Sequence, residues 1–324
     1  MDLNFELVGR DFLRVLRGPR SQLAFSRLLG YRTNVAYTWE SGRRWPTAAE
    51  VLRAAARVRH DVRAALRTFF ASPPSWLARL DPATPKGVAA MLSEVCANIP
   101  IVELARRTGR SRYAVARWLA GAAEPRLPDF LRLFEAASLR LLDFIALFVE
   151  PSLLPSTSSA WKMLEAHRRA VYELPFTSAV LRAMDLSDYA KLEKHEPGWI
   201  ARRIGITRDE EARCLSVLEA GGQILRNGAR WEPSPELTVD TRKDQRAERT
   251  LKETWAKVGL QRLADAAPGL FSFNVFAVSH RDYERLRELH RNYFRQLRSI
   301  VAVSQPSERV VVANVQLFPL DPDP

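Results

Sequence analysis

A block of this chain returns once, without a gap, 79 residues further on. Gly30, Trp39, Gly42 and Pro46 reappear as Gly109, Trp118, Gly121 and Pro125. Phe25, Ala36 and Leu52 are matched by Leu104, Val115 and Leu131. The match extends upstream, where Phe12, Leu13 and Leu16 fall on Met91, Leu92 and Val95. Two amphipathic helices share apolar positions by default, but a glycine, a tryptophan, a glycine and a proline in register mark an internal duplication. Whatever backbone the first copy adopts, the second has to adopt as well.

The first copy, from Gln22 to Ala55, reads as a helix, a tight turn, a second helix and a basic corner leading into a third helix. Leu23, Phe25, Leu28 and Leu29 supply an apolar face for the first helix. Gly30 stands where a left-handed C-cap is needed, a conformation that glycine takes without strain. Thr33 offers an N-cap oxygen for the second helix. That helix buries Ala36 and Trp39, three residues apart on one face, and leaves Thr33, Asn34, Tyr37 and Thr38 on the other. Gly42 ends it, and Arg43-Arg44-Trp45-Pro46 turns the chain.

These residues resemble the lambda-repressor/Cro-like (Xre-type) helix-turn-helix family. The resemblance is carried by Gln22 opening the first helix of the pair, Gly30 in the turn, Thr33-Asn34 opening the second, and the WESGRRWP run behind it. It implies that Gln22 holds a phosphate at a helix N-terminus. It further implies that Asn34, with Thr33, Tyr37 and Thr38, reaches base edges in the major groove, and that Arg43 and Arg44 clamp the backbone. In the second copy Arg112, Tyr113 and Arg117 take the reading positions, aligned with Thr33, Asn34 and Thr38, and Arg110 precedes them. Ile101 stands in place of Gln22, and Ala122-Ala123 in place of the paired arginines, so DNA contact by this copy is the less secure expectation.

The charge follows the duplication. Of the formal net +12, residues 1–150 carry 23 basic and 14 acidic side chains, net +9, and residues 151–324 carry 26 and 23, net +3. A basic half is the electrostatic footprint expected of a polyanion binder. Cys96 and Cys214 lie far apart in apolar helical patterns, with no CxxC pair, which fits a reducing compartment. The N-terminal MDLNFELVGRDFL lacks the pattern of a secretory signal. The most apolar stretch, Leu139 to Val149, contains Arg140 and Asp143 and is too short to span a bilayer. The expectation is a soluble cytoplasmic protein associated with the nucleoid and not with a membrane.

The rest of the chain is of different design. Residues 1–71 and 88–150 are expected as two Xre-like domains, separated by the proline-bearing Ser72–Gly87 stretch, and Pro151–Ser159 is the clearest boundary. Residues 160–233 read as a winged helix. Thr207 and Glu210 form a capping box, and Asn227-Gly228 signals a type I′ hairpin as the wing. Its second helix opens on Asp209-Glu210-Glu211, which suits a helix dipole and would repel phosphate, so a structural or dimer-forming role is the stronger expectation. Residues 245–324 read as a small α+β module for dimerisation or sensing. Leu270–Ser279 and Val310–Leu320 are its strands, around the amphipathic helix Arg281–Ile300. Five arginines of that helix, Arg281, Arg285, Arg291, Arg295 and Arg298, read as a solvated face. From about Trp161 onward the chain resembles a bacterial family grouped with regulators but without a known ligand or activity. That resemblance is carried by Trp199 with IARRIGIT, by the Asn227-Gly228 turn with Trp231, and by the closing VQLFPL.

The fold class expected is therefore mainly α: tandem helix-turn-helix domains, then a winged helix and a small α+β module. Nothing points to catalysis or to a cofactor. The five histidines are scattered without metal-ligand spacing, and no phosphate-binding glycine loop or GxSxG is present. The expected function is sequence-specific binding of double-stranded DNA by a transcriptional repressor acting as a homodimer, its effector unknown. The competing class is a helical protein-interaction adaptor without DNA specificity.

Overall fold

The computed structural model describes residues 3–70, 73–97, 99–234, 244–301 and 304–321. The chain is mainly helical, with one small two-stranded sheet among the described residues. It divides into two compact units, and the division falls after Glu165.

In the first unit, α1 (Phe5–Arg17), α2 (Gln22–Leu28), α3 (Val35–Glu40), α4 (Ala48–Arg57) and α5 (Val62–Phe69) follow one another through short capped turns. Asn4, Ser21, Asn34, Thr47 and Asp61 each accept a hydrogen bond from a first-turn amide, so sequence-encoded side chains start all five helices. A short α6 (Trp76–Arg79) precedes α7 (Pro85–Cys96), α8 (Ile101–Thr108), α9 (Arg112–Leu119), α10 (Leu127–Ser138) and α11 (Leu141–Ile145). The duplication is visible element by element: α7 to α10 repeat α1 to α4. Gly30, Gly42, Gly109 and Gly121 all take left-handed φ values, from 62° to 89°. After Gly30 the amide of Tyr31 bonds back to Ser26, and after Gly109 the amide of Arg110 bonds back to Ala105, the same closing bond in both copies.

The two copies do not form separate cores. A single apolar cluster runs from Val8 and Phe12 of the first copy through Met91, Leu104 and Val115 of the second to Phe144 and Leu154. At its centre Phe134 of α10 lies with its ring 4.5 Å from Phe144 and 5.5 Å from Phe69. The copies pack on each other: α1 lies against α10, and the equivalent α7 lies against α4 as well as against α10 of its own copy. Between the copies, Ala48 N donates to Pro125 O at 3.2 Å, and Leu127 N donates to Pro46 O at 2.9 Å. These two bonds flank an antiparallel bridge between Thr47 and Arg126. Thr47 and Arg126 are each other's equivalents, as are Ala48 and Leu127, and Pro46 and Pro125. Reciprocal bonding of equivalent residues is the mark of a two-fold contact, made here inside one chain.

Several expectations are corrected by this packing. Leu23 and Leu28 do not line the core. Both are more than a third exposed, and the inner face of α2 is Phe25 with Ser26. Ser26 is buried because its hydroxyl donates to Gln22 O at 2.8 Å and accepts from Ala36 N at 3.0 Å, joining α2 to α3. The stretch Pro151–Ser159 is no free boundary. Pro151, Leu154 and Thr157 are buried, and the helix that follows, α12 (Ser158–Glu173), contains the division between the units.

The second unit contains α13 (Thr177–Met184), α14 (Ser187–Ala190), α15 (Trp199–Ile204), α16 (Arg208–Ala220), β1 (Ile224–Asn227), β2 (Arg230–Pro233), α17 (Gln245–Ala264) and α18 (His280–Val301). Gly205, at φ 76°, makes the turn between α15 and α16, and Thr207 with Glu210 completes the capping box. The strands pair Asn227 with Arg230, so Gly228 and Ala229 form the tip of the hairpin. Gly228 is the left-handed residue, in the first central position. That is the requirement of a type II′ turn, where the sequence suggested I′. The core here is Val180, Met184, Tyr189, Ile200, Leu218, Ile224 and Trp231. The stretches expected as strands, 270–279 and 310–320, carry no strand pairing, and α17 buries none of its residues.

One polar cluster is built into this core. Glu211 is buried and accepts from Ala201 N at 2.8 Å; its other oxygen lies 3.3 Å from His195 Nε2. His195 Nδ1 is 3.2 Å from the hydroxyl of buried Tyr189, and its backbone amide donates to Ala229 O at the hairpin tip. Burial pushes the His195 imidazole below its ordinary value, and the Glu211 carboxylate only partly restores it. An unfolded chain takes up this proton as the pH drops past about 6.5, before the folded chain does. The contribution to stability is therefore complete above that pH and is lost as the pH falls toward the folded value. The melting temperature of the full chain should fall between pH 7 and 5, and His195→Gln should make that fall shallower. Identical slopes in a pH series of melts would assign the acid sensitivity elsewhere.

Candidate nucleic-acid interface

The candidate residues fall on two equivalent surfaces of the first unit. Around α3, Thr33, Asn34, Tyr37, Arg43 and Arg44 are exposed. The Arg43 guanidinium stacks over the Tyr37 ring at 5.4 Å from its centroid. Around α9, Arg112, Tyr113 and Arg117 are exposed, and Arg117 stacks over Tyr113 at the same 5.4 Å. Each copy thus presents an arginine over a tyrosine ring, although the two pairs occupy different register positions. Arg117 also donates from Nη2 to Ala122 O at 3.2 Å and from Nη1 to the Tyr113 hydroxyl at 3.4 Å, so its guanidinium has lost rotamer freedom before any ligand arrives.

Other candidates are already engaged. Gln22 Nε2 donates to Glu40 Oε2 at 2.8 Å and does not stand free for a phosphate. Arg17 Nε donates to the same carboxylate at 2.6 Å, with Arg14 at 4.0 Å, and the Glu40 side chain is only 4% exposed. The second copy replaces this set as a whole: Arg17, Gln22 and Glu40 become Cys96, Ile101 and Leu119. Cys96 is buried, and burial pushes its thiol up to about 12. Arg110 donates to Asp129 at 2.6 Å, and the Thr38 hydroxyl is spent on Val35 O at 2.8 Å.

The N-cap of α3 is Asn34, not Thr33. Asn34 Oδ1 accepts from Tyr37 N at 3.2 Å and lies 3.3 Å from the Ser26 hydroxyl. A bidentate pair with adenine needs that oxygen and the amide nitrogen together, so reading a base from here gives up the cap. In the second copy the cap is Ser111, aligned with Arg32, and α9 therefore begins two residues earlier than α3. Asn34→Ser keeps a capping oxygen, whereas Asn34→Ala loses it at a cost of about 1 kcal/mol. Urea denaturation should rank Asn34→Ala below Asn34→Ser, with Asn34→Ser close to the parent. Equal losses in both would show that the cap is not what Asn34 contributes.

Among the described residues no cluster of three or more histidine, cysteine, aspartate or glutamate side chains has the arrangement to hold a metal ion, and no single helix is long and apolar enough to cross a membrane. What the fold defines is a mainly helical protein whose N-terminal unit is a fused pair of helix–glycine turn–helix copies, followed by a unit with a helix pair and a hairpin. Residues 155–320, just over half of the chain, match the family described as a domain of unknown function, DUF4423, and the chain belongs to that family. The match includes the closing VQLFPL and excludes the duplicated copies. No curated protein and no solved structure matches the chain.

Proposed function

We propose that this protein is a sequence-specific DNA-binding transcription regulator, a repressor, that contacts the major groove through α3 and α9. The observation that carries the proposal is the paired display of Arg43 on Tyr37 and Arg117 on Tyr113. Tyr37, Tyr113 and Arg117 lie on the second helix of each helix–turn–helix copy and Arg43 in the corner just behind α3, all in the half of the chain with a net charge of +9. Arg44 and Arg112 add exposed cations for phosphate. Since Gln22 is bonded to Glu40 and Asn34 caps α3, base discrimination is assigned to Tyr37, Arg43, Tyr113 and Arg117, arginine pairing with guanine after Arg117 releases Ala122 O.

With about six phosphates neutralised, the affinity of the full chain for duplex DNA should fall against salt with a log–log slope near −5. An affinity indifferent to salt would remove the proposal. A second reading is a helical adaptor for another protein, favoured by Leu23 and Val102, which hold the same position in the two copies and are both exposed. The salt titration separates the two readings, because apolar contact survives high salt.

The second unit is proposed to pair two chains, its winged-helix-like part and the following residues serving as the dimer contact in the cytoplasm. Leu270, Phe273, Val275, Val311, Phe318 and Leu320 are exposed there, and surface of that kind belongs in an interface. Light scattering that finds a monomer on and off DNA would refute the dimer.

A further inference from the structure

We infer that each single chain reads both arms of an imperfect inverted repeat in duplex DNA, so that a pair joined through the second unit carries two such repeats; this rests on the DNA-binding reading above. The starting point is the contact between the copies. Ala48 N to Pro125 O and Leu127 N to Pro46 O are the same bond made twice, around the Thr47–Arg126 bridge. The packing of α1 on α10 and of α7 on α4 follows the same relation, although α10 also packs on α7 and α8 of its own copy, where α4 makes no comparable contact with α1 and α2 among the described residues. Extended from the bridge to the helices that lead into it, this local two-fold relation carries α3 onto α9 and sets both at one level along its axis. Duplex DNA has two-fold axes of its own, perpendicular to its length, and a two-fold pair of helices fits it with one helix per arm.

The arms cannot be alike. α3 presents Tyr37, with Arg43 from the corner behind it, whereas α9 presents Arg112, Tyr113 and Arg117 and starts two residues earlier. Chemically distinct side chains on symmetric supports read distinct bases, so the ligand is an inverted repeat in geometry with unequal arms in sequence. The continuous core and the paired backbone bonds also hold the distance between the arms. The spacing becomes a property of the fold, which a flexible linker would leave open.

The test uses the full chain. Selection from a randomised duplex library should enrich a site with two inverted, unequal arms. Arg117→Ala should erase preference in one arm and Arg43→Ala in the other. Five base pairs inserted between the arms turn one of them to the opposite face of the duplex, since a turn is about 10–10.5 base pairs. That insertion should lower affinity at least tenfold, and ten inserted base pairs should not restore it. Identical arms that both lose preference with Arg43→Ala would mean that two chains supply two copies of α3, and would overturn the inference while leaving the DNA-binding reading intact. Affinity unchanged by the insertion would also overturn it, since the copies would then move independently. Absence of salt-sensitive binding to any duplex removes both.

Discussion

Arg17→Ala should destabilise the first unit by about 3–5 kcal/mol, the usual loss when one member of a buried ion pair is removed. Glu40 is almost wholly enclosed, and Arg17 meets it with two donors, Nε at 2.6 Å and Nη2 at 3.3 Å. Without them the carboxylate keeps Gln22 and a distant Arg14, and its charge stays buried. The second copy shows the alternative: the same three positions hold Cys96, Ile101 and Leu119 and make the same turn between helices. The triple change Arg17→Cys, Gln22→Ile and Glu40→Leu should therefore cost within about 1 kcal/mol of nothing, because apolar replacement of a whole buried network is often neutral. Urea denaturation of the single and triple variants gives both values. A triple variant as weak as Arg17→Ala would show that the network itself, and not the orphaned charge, is what the fold needs.

Phe134→Ala should cost about 3–5 kcal/mol, in the range of buried aromatic truncations. Its ring is enclosed and meets those of Phe69, Phe130 and Phe144. The pattern of the loss is more telling than its size. Phe134 belongs to the second copy, but Phe69 is reached through the first, and one core joins them. Hydrogen exchange should show α2 and α3 losing protection together with α8 and α9, in a single cooperative unit. Protection retained in α2 and α3 while α8 and α9 open would mean that the copies are stable separately.

The local architecture was legible in the sequence, and the long-range part was not. Gly30, Gly42, Gly109 and Gly121 are left-handed where the turns require it, and Thr207 with Glu210 caps α16, because each of these signals is contained within a few residues. The cap at Asn34 was misplaced by one residue, since Thr33 and Asn34 both carry a capping oxygen and only the backbone decides between them. Leu23 and Leu28 fit a helical apolar face by spacing, but α3 packs on the face of α2 that carries Phe25 and Ser26 and leaves them out. The Gln22–Glu40 bond spans 18 residues. Its one sequence signal was the joint loss of both partners and of Arg17 in the second copy. The bridge between Thr47 and Arg126 leaves no periodic trace, as it depends on two segments meeting. The alternation of 270–279 and 310–320 suited strands, but a strand also needs a neighbour to bond, and alternation cannot say whether one is there.

The bridge between the copies also bears on how such a protein can change. In a symmetric homodimer every substitution is inherited twice, so a mutation that suits one side of a target is imposed on the other. Joining the copies in one polypeptide removes that constraint: Arg43 and Arg117 can vary separately while Thr47 and Arg126 keep the halves aligned. For the DNA contact proposed above, such an arrangement leaves lineages free to drift toward lopsided targets by single mutational steps, with no intermediate in which both sides are spoiled at once.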